Sequence, residues 1–163
     1  MRILGIDPSL QSTGFGVIEY VENQYLPIVY GIIRPTHGVP FHEKLNEIRT
    51  ELEKIIAEFS PDEVAIENPF YAQNIKTAIA LGQVRGAVLV AVAARGLDLF
   101  EYSALEIKKA VTGYGQADKN QVQVMVRTLL SLDDDALKSD AADALAAAIC
   151  HLNASLFHKK FDA

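Results

Sequence analysis

The sequence predicts a single α/β domain in which helices flank a five-stranded mixed sheet. Short segments rich in β-branched and aromatic residues open the chain, and amphipathic helical segments then alternate with further short apolar runs. The 163 residues, 50% of them hydrophobic, supply enough apolar material for one core but would leave each of two domains short. We expect the domain to span residues 1–154 and a short tail to follow at 155–163.

The first three predicted strands cover residues 2–7, 13–20 and 25–34. Turn-forming stretches separate them, a pattern that predicts an antiparallel meander. After a break rich in proline and glycine, apolar residues recur at helical spacing over 41–59, which predicts an amphipathic helix with a solvated charged face. A fourth strand at 63–67 follows this helix, and a strand joined through a helix is most easily placed parallel to the first strand.

Residues 75–95 predict a long helix whose second half is apolar on nearly every side. Such a helix is normally covered on two sides, so one side should lie on the sheet. The other side is predicted to meet a second subunit, and burial under neighbouring loops is the alternative. A fifth strand is predicted at 97–102. A short helix, a helix that opens at Asp118 or Lys119, and an alanine-rich helix capped by Ser139 complete the chain.

Two acids end predicted strands and two begin the last helix. Asp7 follows the apolar first strand and precedes a proline, and Glu67 repeats this arrangement in the fourth strand. Parallel strands would bring both acids to the same edge of the sheet. Asp140 and Asp143 share one face of the final helix, whose alanines allow close packing on the sheet. The simpler interpretations are a turn cap for Asp7 and dipole stabilisation for the helical pair.

Four converging carboxylates without any Cys-His ligand pattern favour a hard cation, Mg²⁺ or Mn²⁺, over zinc. Such a set can hold two ions roughly 4 Å apart, one to activate a water molecule and one to stabilise a leaving oxygen. The predicted reaction is hydrolysis of a phosphodiester bond.

Phe70 and two lysines are candidate nucleic-acid contacts. Phe70 follows Glu67 in a proline-stiffened loop, where an aromatic ring can stack on an unpaired base, although folding back into the core fits the sequence equally well. Lys108 and Lys119 stand on either side of the glycine-containing stretch 112–117. They suit the positioning of a phosphate backbone, although charges that flank a loop are usually plain surface.

Net charge, cysteine content and the length of the apolar runs indicate which partners and which compartment the protein can have. A net charge of −6 and a pI near 5.2 argue by themselves against nucleic-acid binding, but bound divalent ions would reverse the local sign where a phosphate has to sit. The single cysteine, Cys150, excludes an internal disulfide, and with no basic-then-apolar leader at the start it favours a reducing, cytoplasmic setting. The longest apolar run, 86–94, is too short to span a bilayer, so no membrane role is expected.

Taken together, the motifs resemble those of the RuvC family of Holliday-junction resolvases, from Ile3 to about Leu152. The set is highly specific, although no single motif is. The matching pieces are Gly5-Ile6-Asp7-Pro8, Thr13-Gly14-Phe15-Gly16-Val17, Ala65-Ile66-Glu67 with Phe70, Leu81-Gly82-Gln83-Val84-Arg85-Gly86, Glu101-Tyr102, Ile107-Lys108, Gly113-Tyr114-Gly115, Lys119, and Ser139-Asp140-Ala141-Ala142-Asp143-Ala144.

This resemblance implies an RNase H-like fold, a homodimer, and Mg²⁺-dependent symmetrical nicking of four-way DNA junctions in recombination and repair. It implies that the four acids are catalytic metal ligands, that Phe70 stacks near the junction centre, and that Lys108 and Lys119 lie near the scissile backbone. It also implies the branch-migration proteins RuvA and RuvB as partners. The tail has only Lys159 and Lys160 as basic residues, so a DNA contact made by a longer basic tail in relatives is not carried over.

Three other functions fit parts of the pattern. The opening strand, acid and Thr-Gly hairpin also resemble the phosphate loop of actin-like ATPases and sugar kinases, but those enzymes clasp the nucleotide between two such domains, and this chain has length for one. An RNA-processing nuclease would be expected to lack the Phe70 loop and the paired acids of the last helix. A non-catalytic DNA-binding module would not need four acids on one rim.

Overall fold

The computed structural model describes residues 1–68, 74–132 and 137–161, with side chains through Phe157. In chain order its elements are β1 Arg2–Asp7, β2 Thr13–Val21, β3 Gln24–Ile33, α1 Phe41–Phe59, β4 Glu63–Asn68, α2 Ile75–Ala94, β5 Asp98–Ser103, α3 Ala104–Thr112, α4 Lys119–Leu129 and α5 Ser139–Phe161. The predicted strands and the two long predicted helices agree with these bounds within one residue at either end. The predicted boundary at residue 154 falls inside α5, which continues to Phe161.

The five strands form one mixed sheet in the order β3-β2-β1-β4-β5. β1 pairs antiparallel with β2, and β2 with β3, whereas β4 runs parallel to both β1 and β5. Short turns can join antiparallel strands, but parallel strands need a crossover, which α1 and α2 provide here. The predicted meander and the predicted parallel placement of the fourth strand beside the first are confirmed. The carboxyl ends of β1, β4 and β5 consequently share one edge of the sheet.

Helices cover both faces of this sheet. α1 and α2 pack on one face, and α3, α4 and α5 pack on the other. Because successive strand side chains alternate, Leu4 of β1 joins the core under α1 and α2 while its neighbour Ile3 joins the core under α5. α1 contributes Ile48, Leu52 and Ile56, which lie on one face at helical spacing. The domain is therefore a three-layer sandwich with one core on each side of the sheet.

Glycine allows α5 to lie directly on β1 and β2. A side-chain carbon built on Gly5 would come within 1.9 Å of the carbonyl oxygen of Ala144. One built on Gly14 would come within 1.9 Å of the carbonyl oxygen of Asp140. Both distances are far below van der Waals contact, so only a residue without a side chain fits at these two positions. The backbone of α5 is thus in direct contact with the backbone of the sheet.

A buried histidine ties α5 to the sheet further along. Nδ1 of His151 lies 2.7 Å from the Tyr102 hydroxyl, and Nε2 lies 2.7 Å from Oε2 of Glu63. The imidazole also stacks on Phe100, with the ring centroids 4.3 Å apart. A neutral imidazole satisfies both polar partners when Nε2 donates to the carboxylate and Nδ1 accepts from the hydroxyl. This network fixes α5 to the amino end of β4 and to β5.

α2 buries one side and leaves the other exposed. Its buried residues are Val84, Val88, Ala91 and Val92. On the opposite side Ile79 is 60% exposed and Val90 is 58% exposed, so the described part of the chain does not cover them. α2 is long and apolar enough to cross a membrane, but a helix in the core of a globular domain can have the same length and composition. Its buried side belongs to the core of the domain.

Candidate active site

Asp7 and Glu67 lie at the same edge of the sheet. In the parallel pairing of β1 with β4, Ile6 stands opposite Ile66, so each acid is the next residue along its strand. Both side chains emerge on the side of α5, because strand side chains alternate and Ala65, two residues before Glu67, belongs to the core under α5. The two strands therefore present a pair of carboxylates to the helix layer above them.

The first turn of α5 brings Asp140 and Asp143 to this edge. Gly14 stands opposite Asp7 in the pairing of β1 with β2, and the carbonyl of Asp140 fills the space where a Gly14 side chain would be. The Ser12 hydroxyl donates a hydrogen bond to Oδ2 of Asp140. Close packing on glycine thus makes a segment from the end of the chain a neighbour of Asp7.

The four carboxylates act on one another electrostatically. Burial, followed by the charges of the other three acids with Asp143 foremost, raises the pKa of Asp7 from 3.8 to about 7. Burial and the charge of Asp143 also raise the pKa of Glu67. These shifts mean that the ionised forms of both side chains are destabilised in the metal-free site even though the Lys119 charge partly offsets the effect. Such a group of acids favours either a retained proton or a bound cation.

Lys119 is held beside the acids by the start of α4. The Asp118 carboxylate accepts a hydrogen bond from the backbone of Gln121, whose side chain accepts one from the backbone N–H of Asp118. This capping box makes Lys119 the first residue of α4, and Nζ lies 2.7 Å from Oδ2 of Asp143. Burial by itself lowers the pKa of Lys119. The hydrogen bond and charge of Asp143, together with the charges of Asp7 and Asp140, outweigh this effect, so the pKa is raised overall.

A cleft of about 270 Å³ opens at this rim. Glu67 and Asp143 contribute carboxylates to its wall, and Lys108 and Lys119 contribute ammonium groups. The rest of the lining is apolar and comes from Ala104, Ile107, Val122 and Ala146. Acids and lysines around one cleft are suited to hold a phosphate group together with divalent cations.

The donor set fits a hard divalent cation in its chemistry. Within residues 1–68, 74–132 and 137–161, no group of three or more His, Cys, Asp or Glu side chains is arranged to hold a metal ion. Asp143 forms an ion pair with Lys119, and Asp140 accepts a hydrogen bond from the Ser12 hydroxyl. All the candidate ligands are nevertheless carboxylates, which Mg²⁺ and Mn²⁺ prefer, and their mutual repulsion leaves charge for a cation to neutralise. An ion bound at Asp143 would either share this carboxylate with Lys119 or displace the ammonium group from it.

The structure brings the four acids and both lysines named from the sequence to this rim. Their roles as metal ligands and DNA contacts stay predictions. Phe70, the seventh nominated residue, lies outside the described residues. Ser12 was not anticipated from the sequence, because a serine in a turn carries no signal for a partner 128 positions away.

The mixed sheet of order β3-β2-β1-β4-β5, with acids where two parallel strands end beneath a helix, has the RNase H-like architecture of the solved RuvC nuclease structures. The structure of Thermus thermophilus RuvC superimposes with a TM-score of 0.89 at 29% identity, covering 97% of each chain. The same protein in complex with a Holliday junction substrate gives a TM-score of 0.88 at 27% identity, covering 96% of each chain. The yeast mitochondrial Holliday junction resolvase, at 14% identity and a TM-score of 0.67 over 96% of this chain and 80% of that one, shares the fold.

Sequence comparison identifies the family. Residues 3–151 match the family described as crossover junction endodeoxyribonuclease RuvC. The enzyme of that name from Caldanaerobacter subterraneus subsp. tengcongensis is 47% identical over 155 residues, which cover 95% of this chain and 94% of the relative. The one from Alkaliphilus oremlandii is 44% identical over 161 residues, covering 99% and 98%. The chain belongs to the RuvC family, and the resemblance seen in its motifs is confirmed.

Proposed function

We propose that this chain is an endodeoxyribonuclease that resolves four-way DNA junctions by paired, symmetrical nicks. Membership of the RuvC family supports the class of activity. The similar T. thermophilus protein, solved in complex with a Holliday junction substrate, supports the choice of DNA. Within the chain, the observation that carries the proposal is the meeting of the two strand-end acids with the first turn of α5 at one rim, beside Lys119.

In this proposal the four acids would hold two Mg²⁺ ions, for which Mn²⁺ could substitute. Bound ions of this kind activate a water molecule for attack on phosphorus and stabilise the leaving oxygen. Asp7 would have to be ionised to act as a ligand, and its raised pKa favours the protonated form in the metal-free site. Lys119, which pairs with Asp143, and Lys108 line the cleft and would position the phosphate backbone there.

We further propose that the protein acts as a homodimer through the outer face of α2. Ile75, Ile79 and Val90 are exposed on this helix. Gly82 and Gly86 have open space around them, which would let a second helix approach closely. A junction with two-fold symmetry and two strands to cut calls for two active sites related by the same axis. Pairing of α2 with its own copy would bury the apolar face and supply that axis.

The remaining elements of the proposal depend mainly on the family resemblance. We propose RuvA and RuvB, the branch-migration proteins, as partners, and the cytoplasm as the setting for recombination and repair. Cys150 is a free, buried thiol, which is compatible with a reducing compartment.

The activity is tested with a synthetic four-way junction, a linear duplex and a structured RNA, each incubated with Mg²⁺ or with EDTA. We expect nicks at symmetric positions in the junction, only in the presence of Mg²⁺. Asp7→Asn is the matched variant, because an amide keeps the size of the side chain but cannot carry its charge. It should bind the junction and fail to cut it. Cutting in EDTA, or equal cutting of duplex and junction, would contradict the proposal.

The dimer is tested by sedimentation of Val90→Glu, which places a charge on the outer face of α2. Val21→Glu is the matched control, since Val21 is also exposed but lies at the end of β2. We expect a dimer for the parent and the control and a monomer for Val90→Glu, with loss of paired nicking. A Val90→Glu variant that remains dimeric would exclude this face.

A further inference from the structure

Arg85 reaches from the middle of α2 to the end of β4. Its Nη1 donates a hydrogen bond to the backbone carbonyl of Glu67 at 3.1 Å. Its Nη2 lies 2.7 Å from Oε1 of Glu101 on β5. The Arg85 side chain is only 14% exposed, whereas Glu101 is 43% exposed. The guanidinium is thus largely buried, and it contacts two partners on neighbouring strands.

The two partners stand almost side by side in the sheet. In the pairing of β4 with β5, Ile66 is opposite Glu101 and Glu67 is opposite Tyr102. The planar fork of an arginine can bond to both positions at once, whereas a lysine presents a single ammonium group. Hydrogen bonds from a charged donor are about twice as strong as neutral ones. Arg85 therefore fastens the carboxyl end of β4 to β5 and to α2.

The carbonyl that Arg85 holds belongs to one of the four acids. The Glu67 carboxylate, on the other side of that residue, is repelled by Asp143 and in turn repels Asp7. The last residues of β4 pair with β5, and the Arg85 hydrogen bond holds the backbone of Glu67 in addition to this pairing. Arg85 supplies an anchor from the face of the sheet opposite to α5, where it does not touch the cleft.

We propose that Arg85 is a positioning residue that fixes the Glu67 carboxylate at the catalytic rim by holding the Glu67 backbone carbonyl. The role rests on the proposed nuclease function. It also links α2, the proposed dimer helix, to an active-site strand through a single side chain. Arg85 itself contacts neither the DNA phosphate nor the metal in this arrangement.

The test compares Arg85→Met, Arg85→Lys and the control Arg95→Met. Arg95 caps the carboxyl end of the same helix, is more exposed, and pairs with Glu53 at 3.8 Å. Hydrogen exchange is measured for the backbone amides of β4 in metal-free protein. Cleavage is measured under single-turnover conditions at saturating Mg²⁺, and junction binding is measured in EDTA.

We expect Arg85→Met to raise exchange at the carboxyl end of β4 but not in α1, and to slow cleavage by up to about 10²-fold, the loss typical of a 1 Å misplacement. Junction affinity should stay close to that of the parent. Arg85→Lys should fall between parent and Arg85→Met, and Arg95→Met should match the parent.

Parental exchange in β4 and parental cleavage by Arg85→Met would overturn the proposal. A uniform rise of exchange across the whole domain would also overturn it, because that result indicates general destabilisation. Failure of the parent itself to cut junctions would refute the nuclease function instead, and the exchange comparison would still decide whether Arg85 anchors the strand.

Discussion

Replacing Gly14 with alanine should displace the start of α5 and slow cleavage of a four-way junction. The new Cβ would lie 1.9 Å from the Asp140 carbonyl oxygen and 2.3 Å from the carbonyl carbon. Real contacts of this kind stay above 3.0 Å, so the helix backbone must withdraw by about 1.1 Å, the difference between 3.0 and 1.9 Å. Asp140 moves with its backbone. A misplacement of about 1 Å among catalytic groups costs about 10²-fold in rate.

The same substitution should leave the domain folded. Inserting a methyl group into a packed interface typically costs about 1–3 kcal/mol of unfolding free energy. Urea denaturation measures this loss, and single-turnover cleavage with excess enzyme measures the rate. Junction binding in EDTA separates the effect on chemistry from any effect on affinity, which we expect to be small.

Gly31 of β3 provides the matched control. A Cβ there would lie 3.1 Å from ring carbons of Phe15, which belong to a side chain and can shift. Gly31→Ala should therefore cut junctions at nearly the parental rate. If Gly14→Ala also cuts at the parental rate and unfolds at the parental urea concentration, the contact between β2 and α5 does not position the acids and the reasoning is wrong.

Three further changes test the charges and the buried polar groups. In EDTA, Asp7→Asn should gain thermal stability relative to the parent as the pH rises from 3.8 to about 7, because the Asp7 carboxyl stays protonated in the folded parent while it ionises in the unfolded parent, and asparagine has no such proton. A difference that does not change over this range would contradict the raised pKa. Lys119→Met should lower the slope of log affinity against log salt by about 1 if the ammonium group contacts a phosphate. Gel-shift titrations at several salt concentrations measure the slope, and an unchanged slope would argue against the contact. His151→Leu should lower the free energy of unfolding by about 1–3 kcal/mol, because Glu63 loses its buried partner. Urea denaturation checks this against Ser155→Ala, whose hydroxyl lies 3.4 Å from the same ring, and equal losses in the two variants would be inconsistent with the network.

Helical spacing of apolar residues located α1, and short apolar runs bounded by turn residues located the central strands β1 and β4, which are buried along most of their length. The predicted helix at 41–59 coincides with α1, which buries one face against the sheet. The strand predicted at 63–67 was placed parallel to the first because a helix joins them, and β4 is indeed parallel to β1. Asp7 and Glu67 could be assigned to one edge on that ground, before any side chain was placed.

Contacts between distant segments could not be inferred in the same way. Gly5 and Gly14 look like ordinary strand glycines, and the need for them arises only from the approach of α5. The hydrogen bond between the Ser12 and Asp140 side chains depends on their rotamers, and those are set only when the two distant segments pack together. Sequence reasoning expected the surrounding alanines to let the final helix bring its acids up to Asp7 and Glu67, but it did not identify Gly5 and Gly14 as the residues on which the helix packs.

α5 connects the acids at its start with His151 two turns later. Asp143 and His151 are eight residues apart, and each residue of an α-helix advances the rotation by about 100°. An insertion or deletion of one residue between them would turn one end out of phase with the other. Either the carboxylates would swing away from the strands or the imidazole would leave its slot beside Glu63. The number of residues between Asp143 and His151 therefore sets the positions of the acids and of the imidazole together, and no residue can be added or removed without losing one of the two contacts.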